Sequence, residues 1–190
     1  MAAANGTAER ILDVAARKFY ERGYHATNMR EIAEAVGIRA PSLYKHFAAK
    51  QELLFAIAFG VMADLVERGE AAVEGASGAQ ERLRALVEQH VVYHCERRFE
   101  AKVADEQLHA LDDARQSEVI ALRDRYEALF RSVVDAGRAD GWAVADSAIT
   151  TFAITTMASS VTDWYREDGR LSADEIAAIY ADFALRGVRL

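Results

Sequence analysis

A run of hydrogen-bond donors follows the only proline of this 190-residue chain: Ser42, Tyr44, Lys45 and His46, with Lys50 shortly beyond. If Leu43 and Phe47, four residues apart, are buried, a helix carrying them turns the other side chains outward. A helix of that kind fits a DNA major groove, where hydroxyl, phenol, imidazole and ammonium groups can meet phosphates and base edges. A further helix starting at Lys50 would add its own backbone donors. The alternative from spacing alone is a solvated surface helix with Tyr44 packed against its neighbours.

His90, His94, Cys95 and His109 form a second group with chemical potential, since histidines at i and i+4 can share a metal ion. His90 lies on one stripe with Leu83 and Val87, however, which reads as an interior, hydrogen-bonded imidazole, so neither a metal nor a cofactor is expected. Cys95 is the only cysteine, which excludes an internal disulfide and a cysteine-rich zinc site. The sequence contains no Gly-x-Ser-x-Gly elbow, phosphate loop or dinucleotide glycine motif, and the scattered acids read as solvated helix faces. No enzymatic activity is expected.

The elements that must position these groups are helices. A hydrophobic content of 52% excludes a disordered polymer, and abundant alanine with no sustained β-type alternation predicts an all-α protein of about nine helices. No apolar run reaches the roughly 18 residues of a bilayer span. The start, Met1-Ala-Ala-Ala-Asn-Gly6, lacks the basic and apolar regions of a signal peptide, so a cytoplasmic protein without membrane attachment is expected. The first helix is predicted from an N-cap at Thr7 to Arg22, with Gly23 as its stop. Asn28 and Glu31 form a capping-box pair for a second that ends at Gly37, and Pro41 opens a third. Two short helices joined by a tight glycine turn make a helix-turn-helix.

From Lys50 the helices lengthen. The first is expected to end near Gly69, and Gly75–Gly78 is a linker. Ser77 with Gln80 caps the next helix, and a short one follows from Phe99 to Leu108. Asp113 with Gln116 opens another, Asp146 starts one that reaches Trp164, and Ser172 with Glu175 caps the last. The expected organisation is a three-helix head over 1–49 and a larger helical domain over 50–190.

Charge is divided in the same way. The net value is −7, but residues 1–50 hold eight basic side chains against five acidic ones, leaving −10 for the remainder. A basic head on an acidic body is oriented by a polyanion, although a solvated basic face would look the same.

The stretch Gly23-Tyr-His-Ala-Thr-Asn-Met-Arg-Glu-Ile-Ala-Glu-Ala-Val-Gly37, with Ile38-Arg-Ala-Pro-Ser-Leu-Tyr-Lys-His-Phe47 and Lys50-Gln-Glu-Leu-Leu54, closely resembles the DNA-binding head of the tetracycline-repressor (TetR) family of bacterial regulators. The resemblance implies a homodimer that binds a palindromic operator in double-stranded DNA as a repressor and is released by a small molecule held in the larger domain. Matched position by position, it implies phosphate or positioning roles for Thr27, Tyr44, His46 and Lys50, and groove-facing roles for Pro41, Ser42 and Lys45. Two positions depart from the family pattern. Arg39 replaces a frequent serine, losing a cap while adding a guanidinium that can meet a phosphate or a guanine edge. Ala49 leaves the helix at Lys50 without a side-chain cap, at a cost of ~1 kcal/mol.

Met62, Tyr93, Phe99, Tyr126, Phe130, Phe152, Met157 and Trp164, with His90 and His94, are candidates for an apolar effector pocket; at helical spacing the same residues also read as plain core. The segment Asp163–Ser172 and the ending Tyr180–Gly187 resemble those of family members that sense acyl-coenzyme A thioesters in fatty-acid or steroid breakdown. That resemblance implies phosphate contacts for Arg166 or Arg170, which could otherwise pair with Asp163, Glu167 or Asp168. Small and apolar residues on the last two helices (Ala148, Ala153, Ala158, Ser159 and Ser160; Ala177, Ile179, Ala181 and Ala184) suit a four-helix interface between two copies. The competing reading is a helical lipid carrier or protein-interaction module that never touches DNA.

Overall fold

A computed structural model describes residues 2–189, with side chains from 6 to 189; Met1, part of the start read above, and Leu190 lie outside the described residues. Ten α-helical segments and one 3-10 turn (Leu108–Ala110) occur among them, and no strand. The helices are α1 (Ala2–Arg22), α2 (Met29–Val36), α3 (Ala40–His46), α4 (Lys50–Glu74), α5 (Gly78–Glu96), α6 (Arg98–Glu106), α7 (Asp113–Ala139), α8 (Ser147–Ser159), α9 (Val161–Trp164) and α10 (Ala173–Gly187). The helix expected from Asp146 to Trp164 is broken at Ser160 into α8 and α9, which accounts for the difference from nine.

Two capping boxes form as expected. Asn28 Oδ1 accepts from the amides of Arg30 (3.1 Å) and Glu31 (3.0 Å), while the Glu31 carboxylate accepts from the Asn28 amide (3.3 Å). Ser172 and Glu175 do the same for α10. Gly37 closes α2 in the left-handed region (φ 78°), which a side chain would strain. Asn28→Ala orphans two amides at the start of α2, and is expected to lower stability by ~1 kcal/mol in urea denaturation. A change below ~0.3 kcal/mol would show that these donors are satisfied by water instead.

Other boundaries differ from expectation for local reasons. Thr7 does not cap α1, because the helix already starts at Ala2. Ser77 makes no side-chain cap; its amide is satisfied by the Glu81 carboxylate at 3.0 Å. Asp112, rather than Asp113, serves the start of α7, accepting from the Arg115 amide at 3.0 Å. The short helix expected over Phe99–Leu108 runs Arg98–Glu106, with the 3-10 turn after it. Gly69 does not end α4. A Cβ there would lie 2.9 Å from Tyr126 Cε2, so this mid-helix glycine lets the tyrosine ring lie against the α4 backbone.

The chain divides into two compact units. The first joins residues 1–61 with 99–120, and so includes more of the chain than the three-helix head. Its core is built on Ile11, Ala15, Phe19, Ile32, Leu43, Leu53 and Leu54, all essentially inaccessible to solvent. α1 packs on α2 and α2 on α3, and Arg10 clamps the end of α2 by donating to the Val36 carbonyl at 2.9 Å. The second unit, 62–98 with 121–190, centres on α5, whose Leu83, Leu86, Val87 and Val91 are fully buried and against which α8, α9 and α10 pack. α4 and α7 contribute residues to both units.

Candidate functional site

The helix-turn-helix presents the donor set predicted for it. Leu43 is fully buried, while Tyr44 (49% exposed), Lys45, His46, Pro41 and Arg39 face solvent and Ser42 is half-buried. Arg39 makes no side-chain cap at α3, so its guanidinium is not spent on the helix end. Phe47, expected in the core, is half-buried.

Thr27 and Lys50 are arranged differently. Thr27 is 1% exposed, and its hydroxyl donates inward to the carbonyls of Gly23 (3.0 Å) and Lys18 (3.3 Å). A buried hydroxyl engaged in this way shapes the α1–α2 turn and offers nothing to a phosphate. The Lys50 ammonium donates to the carbonyls of Tyr24 (2.7 Å), Thr27 (2.8 Å) and His25 (3.3 Å) and sits 4.3 Å from the Tyr24 ring centroid. Burial pushes its pKa down. Of the two family-implied roles for Thr27 and Lys50, these contacts are those of positioning. They also tie the start of α4 to the turn, which offsets the missing cap at Ala49; the Glu52 carboxylate adds to this by accepting from the Ala48 amide at 2.7 Å.

A cleft of about 520 Å³ lies beside these groups, lined by His25, Thr27, Asn28, Met29, Arg30, Tyr44 and Lys50. His25 and Arg30 are exposed there and were not singled out by sequence reasoning. The available signal for Arg30 was its place just after the Asn28 N-cap, whereas His25 lies before that cap and carried no such signal.

The pocket candidates separate into groups. Met62, His90, Tyr93, His94, Tyr126 and Phe130 are buried in the second unit. Phe99 belongs to the first unit and packs on α1, with the Arg17 guanidinium 4.7 Å from its ring centroid and Tyr20 at 5.2 Å. Phe152 and Trp164 are 64% and 50% exposed, so neither lines an interior site, and Met157 is half-buried. Arg166 and Arg170 are exposed, and Arg166 is held by Asp168 at 3.1 Å.

His90 bonds through both ring nitrogens, to the Tyr126 hydroxyl and to Ser159 Oγ, each at 3.0 Å, and stacks on His94 at 3.9 Å. No group of three or more His, Cys, Asp and Glu placed to hold a metal ion occurs among the described residues, and His109 lies in the other unit. Cys95 is buried, its thiol pushed up to about 11 by burial and by Glu96. Burial, reinforced by His94, holds His90 well below its ordinary 6.5. The unfolded chain therefore takes up a proton near pH 6.5 that the folded state refuses, and stability falls as pH drops through that value. The expected loss is up to ~1.4 kcal/mol per pH unit below it, seen as a falling urea midpoint, with a shallower fall in His90→Gln. Equal pH slopes in the two proteins would assign the acid sensitivity elsewhere.

Among the described residues, the large hydrophobic side chains left exposed cluster on α8, α9 and α10: Ile149 (68%), Phe152, Trp164, Ile179 (56%) and Phe183 (66%). On α8 the exposed face runs Ile149, Phe152, Ala153 and Thr156, with Ser160 just past its end, and on α10 it includes Ile179 and Phe183. Of the small residues read as an interface, Ala148, Ala153 and Ser160 are exposed, whereas Ala158, Ala177, Ala181 and Ala184 are buried within the protomer. Among the described residues no helix is long and apolar enough to cross a membrane.

Residues 11–57 match the family model for bacterial regulatory proteins of the tetR family, and residues 76–188 match the tetracyclin repressor-like C-terminal domain. A transcriptional repressor of Rhodococcus jostii, KstR2, is 29% identical over 187 residues, covering 97% of this chain and 92% of that protein. The solved ketosteroid transcriptional regulator KstR2 of Mycobacterium tuberculosis superposes with a TM-score of 0.89 at 25% identity, over 96% of this chain and 95% of that one. AibR, solved with isovaleryl coenzyme A and operator DNA, superposes with a TM-score of 0.82 at 26% identity, over 93% and 97% of the two chains.

Proposed function

The chain belongs to the tetR family of bacterial regulatory proteins, a family of regulators and not of enzymes, and from that premise we propose that it is a cytoplasmic repressor that binds a palindromic operator as a homodimer and leaves it when a small apolar effector binds. The observation that carries this reading is the outward set Tyr44, Lys45 and His46 around a buried Leu43. A carrier or protein-docking module has no use for that face. Arg39, Pro41 and Ser42 extend it, with Thr27 and Lys50 holding the turn behind it, and His25 and Arg30 add donors at the adjoining cleft. Residues 1–49 read DNA, and 50–190 supply effector binding and dimerisation.

The exposed stripes of α8 and α10 support pairing of two copies, because monomeric proteins seldom leave such apolar faces open. Two heads then read half-sites about 34 Å apart or a multiple of it. The effector is of the acyl-coenzyme A class that AibR holds, with its apolar part among Met62, Tyr93, Tyr126 and Phe130. Arg166 exchanges Asp168 for a phosphate, and Arg170 adds a second cation.

The test is a gel shift with DNA from upstream of the chain's own gene. A retarded band is expected whose log K falls steeply against log salt, as several phosphate contacts require. Absence of any retarded upstream fragment in dilute buffer would overturn the reading. Effector and operator are linked reciprocally: whatever factor the effector takes from operator affinity, the operator takes from effector affinity. Titration of isovaleryl coenzyme A into the free and operator-bound protein is expected to give a weaker affinity in the second case. Equal affinities would exclude that thioester as the releasing ligand.

A further inference from the structure

The cleft of about 520 Å³ in the first unit gathers donors from three elements around one opening. His25 stands on the turn before α2, Arg30 on the first turn of α2, Tyr44 on α3 and Lys50 at the start of α4, and no carboxylate is among the lining residues. The acids that flank these elements in sequence are directed elsewhere. Glu31 accepts from the Asn28 amide and pairs with Arg22 at 3.7 Å, and Glu52 accepts from the Ala48 amide. Arg115, near the start of α7, brings a further positive charge to bear on the Tyr24 phenol beside the cleft. The amides of Arg30 and Glu31 already donate to Asn28 Oδ1, so side chains supply the charge that an anion would meet here.

The turn that presents His25 is fixed. Lys50 Nζ donates to the His25 carbonyl at 3.3 Å and to those of Tyr24 and Thr27 on either side, and the imidazole stands edge-on to the Tyr24 ring with centroids 5.3 Å apart. The imidazole is exposed, and among the described residues its ring nitrogens make no hydrogen bond. A neutral imidazole has one donor and one acceptor nitrogen, whereas the protonated ring has two donors and a charge. A phosphodiester oxygen can only accept and stays charged throughout the range in which histidine titrates, so contact with it favours the protonated ring.

We propose that His25 is a proton-linked DNA contact: a backbone phosphate of the duplex enters this cleft, the imidazole meets it carrying a proton taken up from solution, and operator affinity falls as pH rises through the histidine range. The proposal rests on reading the chain as a DNA-binding regulator and adds to it a dependence on pH. The sign follows from linkage. Histidines ordinarily titrate near 6.5; below that value the contact is present without further proton uptake, and above it each complex must take up a proton, which costs up to one decade of affinity per pH unit. The other histidines are placed differently. His46 and His109 are exposed but do not line the cleft, and His90 and His94 are buried in the second unit.

Fluorescence anisotropy of a labelled duplex from upstream of the chain's own gene, at fixed salt and at pH 6 and pH 8, tests this, with circular dichroism reporting that each protein is folded at both values. The full-length wild type is expected to lose at least about threefold in affinity from pH 6 to pH 8. Its slope of log K against log salt is expected to shrink by up to about one over the same interval, as loss of a single phosphate contact requires. His25→Gln is expected to flatten the pH profile. His25→Lys, charged at both values, is expected to flatten it too and to bind about threefold more tightly than the wild type at pH 8. A wild-type affinity that does not change with pH, or a profile as steep in His25→Gln as in the wild type, would overturn the inference while leaving the regulator reading in place. Failure of every upstream duplex to bind at either pH would overturn both.

Discussion

Phe183→Asp is expected to turn the dimer into a monomer while leaving the protomer folded. Phe183 is 66% exposed and Ile179, one turn before it, 56% exposed, so within one chain the change removes little packing. The neighbouring Asp182 is tied to Arg84 on α5, which helps fix α10 on its own protomer independently of any partner. In a two-fold interface every substitution appears twice, so two carboxylates enter an apolar contact. A penalty of about 4 kcal/mol corresponds to a dissociation constant raised ~10³-fold. Sedimentation velocity at micromolar concentration is expected to show one light species, with helical content by circular dichroism unchanged. Operator affinity is expected to collapse with it, because a single head keeps only half of the phosphate contacts. A variant that sediments as a dimer would remove the α10 face from the interface.

The exposed faces of α8 and α10 show where sequence reading reaches its limit. Phe152 sits on a helix at the same spacing whether it faces a core, a pocket or a second copy. Periodicity identifies the face and not its partner. The small residues divide for the same reason: Ala153 and Ser160 face outward, Ala158 and Ala181 inward, and nothing in alanine itself distinguishes the two. Phe99 is placed by aromatic contact with Tyr20, far away in sequence, so its neighbours left no local trace.

Local patterns were legible. Asn28 with Glu31 and Ser172 with Glu175 each encode a helix start within four residues, and both boxes form with the expected partners. Leu43 is buried and Tyr44, Lys45 and His46 are exposed as the helical spacing requires. Gly69 misled because a glycine late in an apolar helix reads as a stop, whereas here it is the site where Tyr126 approaches α4. That approach depends on a residue of α7, and no window around Gly69 contains it.

Lys50→Met is expected to weaken operator binding by at least about tenfold without changing its salt dependence. The reason is the destination of the ammonium. It satisfies the carbonyls of Tyr24, His25 and Thr27, which lie 23 to 26 residues earlier and which no sequence motif announces, because every residue has a carbonyl. Hydrogen bonds from a charged donor are worth ~1.5–3 kcal/mol each in favourable cases, so their loss frees the turn that sets the start of α2 and the cleft beside it. The Tyr24 ring also loses the cation at 4.3 Å. A phosphate contact behaves otherwise: Lys45→Ala, on the open face of α3, is expected to reduce the slope of log K against log salt by about one. Measured side by side across a salt series, the two variants distinguish positioning from contact. The lysine-to-methionine change is expected to lower the melting temperature while the slope stays at the wild-type value. A slope reduced by about one, with an unaltered melting temperature, would instead place the Lys50 ammonium on the DNA backbone.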